Sequence, residues 1–69
     1  MASDEDKKKA QELVDEASEL LKRSDAEPEN KTQIAQQVVA LMNEAITLDE
    51  ENDTAWNNRG IAKGNLGDH

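Results

Sequence analysis

The segment from about residue 30 to residue 48 constrains the fold more than any other part of the sequence, because two adjacent lines of apolar residues run along it. Residues three and four apart share one face of an α-helix. One line contains Ile34, Val38, Leu41, Ala45 and Leu48, and the line beside it contains Ala35, Val39, Met42 and Ile46. A face this broad can contact two neighbours at once. We therefore predict a helix at the centre of a small bundle.

A first flanking helix is predicted over about 4–23. Its single apolar stripe contains Ala10, Leu13, Val14, Ala17, Leu20 and Leu21. Ser3 is the expected N-cap, with Asp6 three residues later in an arrangement that resembles a capping box. Residues 24–30 read as a loop, because Pro28 biases the residue before it away from helical geometry. The proline could equally lie in the first turn of the central helix, where its missing N–H costs nothing. Asn30 or Thr32 is the expected cap of the central helix.

A third, weaker helix is predicted over about 54–66, with Asp53 as its cap and Gly67 as its stop. Gly60 and Gly64 interrupt it, and each interior glycine costs roughly 1 kcal/mol relative to alanine. We expect Gly60 to allow close approach of the central helix, and the large Trp56 side chain to fill the space between helices. The predicted fold is all-α, three antiparallel helices in one domain over 1–69, with disordered ends at 1–3 and 67–69.

Composition limits both the means of stabilisation and the classes of function. The chain has 69 residues and no cysteine, so a thin core must hold the fold without disulfides. A net charge of −8 disfavours binding to nucleic acid and to anionic membranes. No apolar run approaches the ~20 residues that span a bilayer. We expect a soluble cytoplasmic protein without cofactor or metal.

Catalytic and metal-binding patterns are weak. The only histidine is His69, and no serine has a histidine within reach along the chain. The acidic run 49–53 suggests calcium, but a calcium loop of the helix–loop–helix type needs glycine at its sixth position and glutamate at its twelfth. Counted from Asp49, those positions hold Thr54 and Gly60, so a solvated turn is the favoured interpretation. We expect no enzyme activity.

Residues 33–68 resemble the tetratricopeptide repeat, a helical hairpin repeated every 34 residues with a W-x₂-L-G-x₂-Y stretch, then A-x₃-F, then P. The matching stretches hold Trp56, Asn57, Asn58, Arg59, Gly60 and Lys63 in the first and Val38, Met42 and Ala45 in the second. Identity depends mainly on Ala45, Trp56, Gly60 and the ending Leu66-Gly67-Asp68. The sequence departs from the pattern at four positions, where Arg59 replaces leucine, Lys63 replaces tyrosine, Val38 replaces alanine and Glu50 replaces proline. About one and a half degenerate repeats are covered.

The resemblance implies right-handed stacking of helical hairpins and a role in protein–protein interaction. The expected partner is a protein or a peptide, and the expected contact residues are Trp56, Asn58, Arg59, Ile61, Ala62 and Leu66. Some members of the family hold a peptide's carboxylates with Asn, Lys and Arg, and Asn58 matches one such position. Two alternatives stay open: a homodimer that completes a missing hairpin, and a small acidic regulator of a basic partner.

Overall fold

A computed structural model describes residues 2–67 of the chain. Its three α-helices are α1 (Asp4–Ala26), α2 (Lys31–Leu48) and α3 (Asp53–Asn65), with a short 3-10 turn at Pro28–Asn30. Strands are absent from this range. The all-α, three-helix prediction is therefore confirmed. His69 lies outside the described residues.

The first helix is three residues longer than the sequence predicted, since α1 continues through Ser24 to Ala26. Pro28 restricts only the residue before it, and Glu27 has φ −128° and ψ 72°, outside the helical region. The predicted loop at residues 24–26 is wrong for this reason. Ser24 is 4% exposed and belongs to the packed face of α1.

The helix ends follow the expected capping chemistry at two of four positions. The Ser3 hydroxyl accepts a hydrogen bond from the Asp6 amide at 3.0 Å, as predicted. Gly67 follows α3 with φ +80°, which suits a residue without Cβ. The predicted disordered ends at 1–3 and 67–69 lie partly outside the described residues, which are 2–67.

The other two caps differ from the prediction. Asn52, not Asp53, caps α3, and its side-chain oxygen accepts from the Ala55 amide at 3.2 Å. Asn30 precedes α2 without a side-chain cap, because its amide group donates to the Glu27 carboxylate at 2.9 Å instead.

The core lies along α2, which packs against both other helices as predicted. Within residues 2–67, six of the ten buried apolar core residues are alanines, and such small side chains let helices approach one another closely. The ten are Ala10, Val14, Ala17, Ile34, Ala35, Val38, Met42, Ala45, Ala55 and Ala62. Small side chains bury little area each, and the fold therefore has a thin apolar core.

Two hydrogen bonds define the relation between α1 and α3. The Asn52 amide group donates to the Gln11 side chain at 3.1 Å, and the Asn58 amide group donates to the Ser18 hydroxyl at 3.3 Å. From Gln11 to Ser18 along α1, the hydrogen-bond partners go from Asn52 to Asn58 along the chain, so α1 and α3 run parallel. Short connections place α2 antiparallel to them.

Candidate interaction surface

Helix α3 contacts the core through small and polar residues. Ala55, Asn58 and Ala62 are its buried residues, and Leu66 packs against the same core from just beyond the helix end. These positions recur at steps of three and four, so they form one stripe at 100° per residue. The large apolar side chains of α3 fall outside that stripe and face solvent.

Trp56 is the most prominent of these exposed side chains, because 48% of it is accessible. The expectation that it fills the space between helices is wrong. Ala55 faces the core, and the next residue, Trp56, lies about 100° further round the helix, so its indole faces outward. The indole Nε1 donates to the Glu50 carbonyl at 2.8 Å, and the Arg59 guanidinium lies 5.6 Å from the ring centroid. These two contacts orient the ring within the chain itself.

Arg59 contributes to this order from one helical turn away. Its position three residues after Trp56 places it over the indole, within the ~6 Å at which a cation attracts an aromatic face. Its Nε is buried without a hydrogen-bond partner. The sequence carried the signal for this pair, since residues three apart on a helix are neighbours.

Gly60 does not serve the purpose the sequence suggested. A Cβ built on it would meet no atom within 4 Å, and the same is true of Gly64. Neither glycine therefore permits a close approach by α2. Both glycines are exposed, and each leaves a notch in the helix surface where a side chain would stand.

The six predicted contact residues differ in exposure. Trp56 and Ile61 are exposed, at 48% and 46%, and Arg59 is half-buried. Ala62 is fully buried and Asn58 is 5% exposed, so neither is accessible to a partner in this structure. Leu66 is half-buried and packs against the core. The Asn58 amide group, the candidate for carboxylate capture, donates to the Ser18 hydroxyl in this structure.

The acidic turn between α2 and α3 has a structural arrangement of its own. Asp49 is 9% exposed, and its carboxylate accepts from the Glu51 amide at 3.2 Å. Within residues 2–67, no group of three or more acidic or histidine side chains is placed to hold a metal ion. The turn also supplies the Glu50 carbonyl that orients Trp56.

A hollow lies between α1 and α2. It is lined by Glu16, Leu20, Gln37, Ala40 and Leu41. No oriented aromatic side chain lies there, so it lacks the kind of anchor that dominates most interfaces. Across the described range, no helix has the length and apolar character that crossing a bilayer requires.

The Glu27 carboxyl has its pKa held below its ordinary value. Arg23 donates a hydrogen bond to it at 2.8 Å, Asn30 donates a second, and the positive charge of Arg23 adds to the effect. This pair lies at the turn between α1 and α2, where it secures the end of α1. The shift therefore reflects a surface ion pair rather than a reactive site.

Comparison with known proteins adds no identification. No protein-family model, no curated protein and no solved structure matches the chain.

Proposed function

We propose that this chain is a non-catalytic protein–protein interaction module of the tetratricopeptide-repeat type, which acts in the cytoplasm. Its outward α3 surface would receive a helix, a peptide or a neighbouring repeat. The resemblance of residues 33–68 suggests the class, and the parallel arrangement of α1 and α3 around an antiparallel α2 agrees with it.

The observation that carries the proposal is the exposed yet ordered Trp56. Tryptophan and arginine are enriched among the residues that dominate binding energy at interfaces. Immobilising a flexible side chain on binding costs about 0.5–1.5 kcal/mol. The hydrogen bond to Glu50 and the contact with Arg59 already restrict the indole in the free chain, so less of its freedom is left to lose on binding. A partner that covers the indole would gain its apolar burial with little loss of freedom.

The proposal is tested by supplying a partner helix on the same chain. An idealised amphipathic helix is joined to the carboxyl end through a short flexible linker, which gives an effective concentration in the millimolar range. If α3 is a repeat-type helix, the added helix packs on it and raises the melting temperature. Each kcal/mol gained corresponds to about 4–8 °C for a domain of this size.

Two controls separate specific packing from general attachment. In the first, glutamine replaces the apolar residues of the added helix, and no stabilisation is expected. In the second, Trp56→Ala in the fused chain removes the gain. Equal melting temperatures for the fused chain, its glutamine control and the parent would contradict the proposal.

A further inference from the structure

Asp53, Trp56, Gly60 and Lys63 form a continuous outward stripe on α3, here named the α3 seam. Their spacing of three, four and three residues keeps them on one face of the helix, as in the contact line of a coiled coil. Asp53, Trp56 and Gly60 are exposed and Lys63 is half-buried. The seam points away from the stripe that faces the core.

The charges on the seam differ from those of the rest of the molecule. Helix α3 contains one acidic and two basic residues, whereas the whole chain has a net charge of −8. On the seam itself the acid lies in the first turn and Lys63 in the last. An antiparallel copy of α3 would therefore place each charge beside its opposite, with the two helix dipoles also opposed.

The same antiparallel register matches shape as well as charge. When Asp53 lies opposite Lys63 of a second copy, Trp56 lies opposite Gly60 of that copy. Gly60 has open space where a Cβ would stand, so a notch faces each indole. Both pairs are repeated by a two-fold axis, as a symmetric dimer requires.

We infer that a second copy of the chain occupies the α3 seam, in an antiparallel pair that seats each Trp56 against the partner copy's Gly60. The inference depends on the proposed function and names its partner. Helix α3 has 13 residues and is about 20 Å long, so the interface is small. It falls below the ~1,200 Å² of stable complexes and makes the association weak and reversible.

The net charge of the chain gives the dimer a distinctive response to salt. Two chains of −8 repel each other over long distances, and salt screens this repulsion. Salt also screens the exposed Asp53–Lys63 pairs, but such pairs contribute little. Added salt should therefore strengthen the dimer. Binding to a basic partner, by contrast, would weaken as salt rises.

The test measures the molar mass of the full chain by light scattering from about 20 µM to about 1 mM. The mass should rise from 7.6 kDa toward twice that value, and more steeply at high salt. Gly60→Gln fills the notch and should keep the chain monomeric. Gly64→Gln is the matched control, because it makes the same replacement on the flank of the seam and should still dimerise.

A charge exchange tests the register independently. Asp53→Lys places two lysines together in the pair and should weaken association, while the double variant Asp53→Lys with Lys63→Asp should restore it. Circular dichroism checks that each variant is folded. A chain that stays at 7.6 kDa throughout, or a dimer that persists with Gly60→Gln, would overturn the inference.

The experiments distinguish failure of the inferred dimer from failure of the proposed function. A monomeric chain that is still stabilised by the fused helix would refute self-pairing and leave the interaction module in place. A dimer that is lost when the fused helix is present would support the inference, because both helices would compete for the same seam.

Discussion

Replacing Ser18 with alanine should destabilise the fold although it removes only one oxygen. The Ser18 hydroxyl accepts the hydrogen bond from Asn58, which is 5% exposed and lies between α1 and α3. Without that acceptor, the Asn58 amide is left buried and unpaired. Such a group costs about 1–3 kcal/mol. Alanine is the better helix former, so propensity alone predicts the opposite sign.

The expected loss is large on the scale of this molecule. At 0.05–0.15 kcal/mol per residue, a chain of this length has about 3–10 kcal/mol of total stability. A loss of 1–3 kcal/mol corresponds to a melting temperature lower by about 5–20 °C. Thermal and urea unfolding followed by circular dichroism measure it directly.

A double-mutant cycle identifies the cause. Asn58→Leu with Ser18→Ala removes both polar groups and should recover most of the stability lost by Ser18→Ala alone, since paired polar groups exchange for apolar ones at little cost. If Ser18→Ala melts with the wild type, or if the double variant is no more stable than Ser18→Ala, the bond does not hold α1 against α3.

Four further changes test other parts of the fold by thermal unfolding. Met42→Ala should cost about 2–5 kcal/mol, because Met42 is a fully buried side chain of the central helix; a smaller loss would mean a looser core. Asn52→Ala should cost about 0.5–2 kcal/mol through the lost cap of α3, and an unchanged melting temperature would contradict that assignment. Gly60→Ala should stabilise the monomer by about 1 kcal/mol, since its Cβ meets open space; destabilisation would reveal a hidden contact. Arg23→Gln should lower the melting temperature at neutral pH, and the difference should vanish in acid. The pKa of Glu27 in the folded chain lies below its ordinary value of 4.5, so this carboxylate contributes stability that is lost as the pH falls below 4.5 and through the folded pKa. A lower melting temperature of Arg23→Gln that persists in strong acid would refute the ion pair.

The sequence predicted the number, order and approximate bounds of the helices because the apolar lines of residues 34–48 leave few alternatives. Its errors at helix ends have local causes. Pro28 affects only Glu27, so α1 continues to Ala26, and Asn52 competes successfully with Asp53 for the cap of α3.

The candidate surface was predictable only in part. Size and hydrophobicity favoured Trp56 as a core residue, yet the core-facing stripe of α3 consists of Ala55, Asn58 and Ala62. Which of two stripes faces the core depends on how closely the helices approach. An alanine-rich core selects the small one, and that preference is a property of all three helices together.

The most direct test of the account is the accessibility of the chain's single tryptophan. Acrylamide quenching and emission wavelength are compared for the dilute parent chain and for the chain fused to the amphipathic helix. We predict strong quenching and long-wavelength emission in the parent, with protection and a shift to shorter wavelength in the fused chain. Protection already present in the dilute parent, or equal quenching in both chains, would contradict the claim that Trp56 is an exposed anchor awaiting a partner.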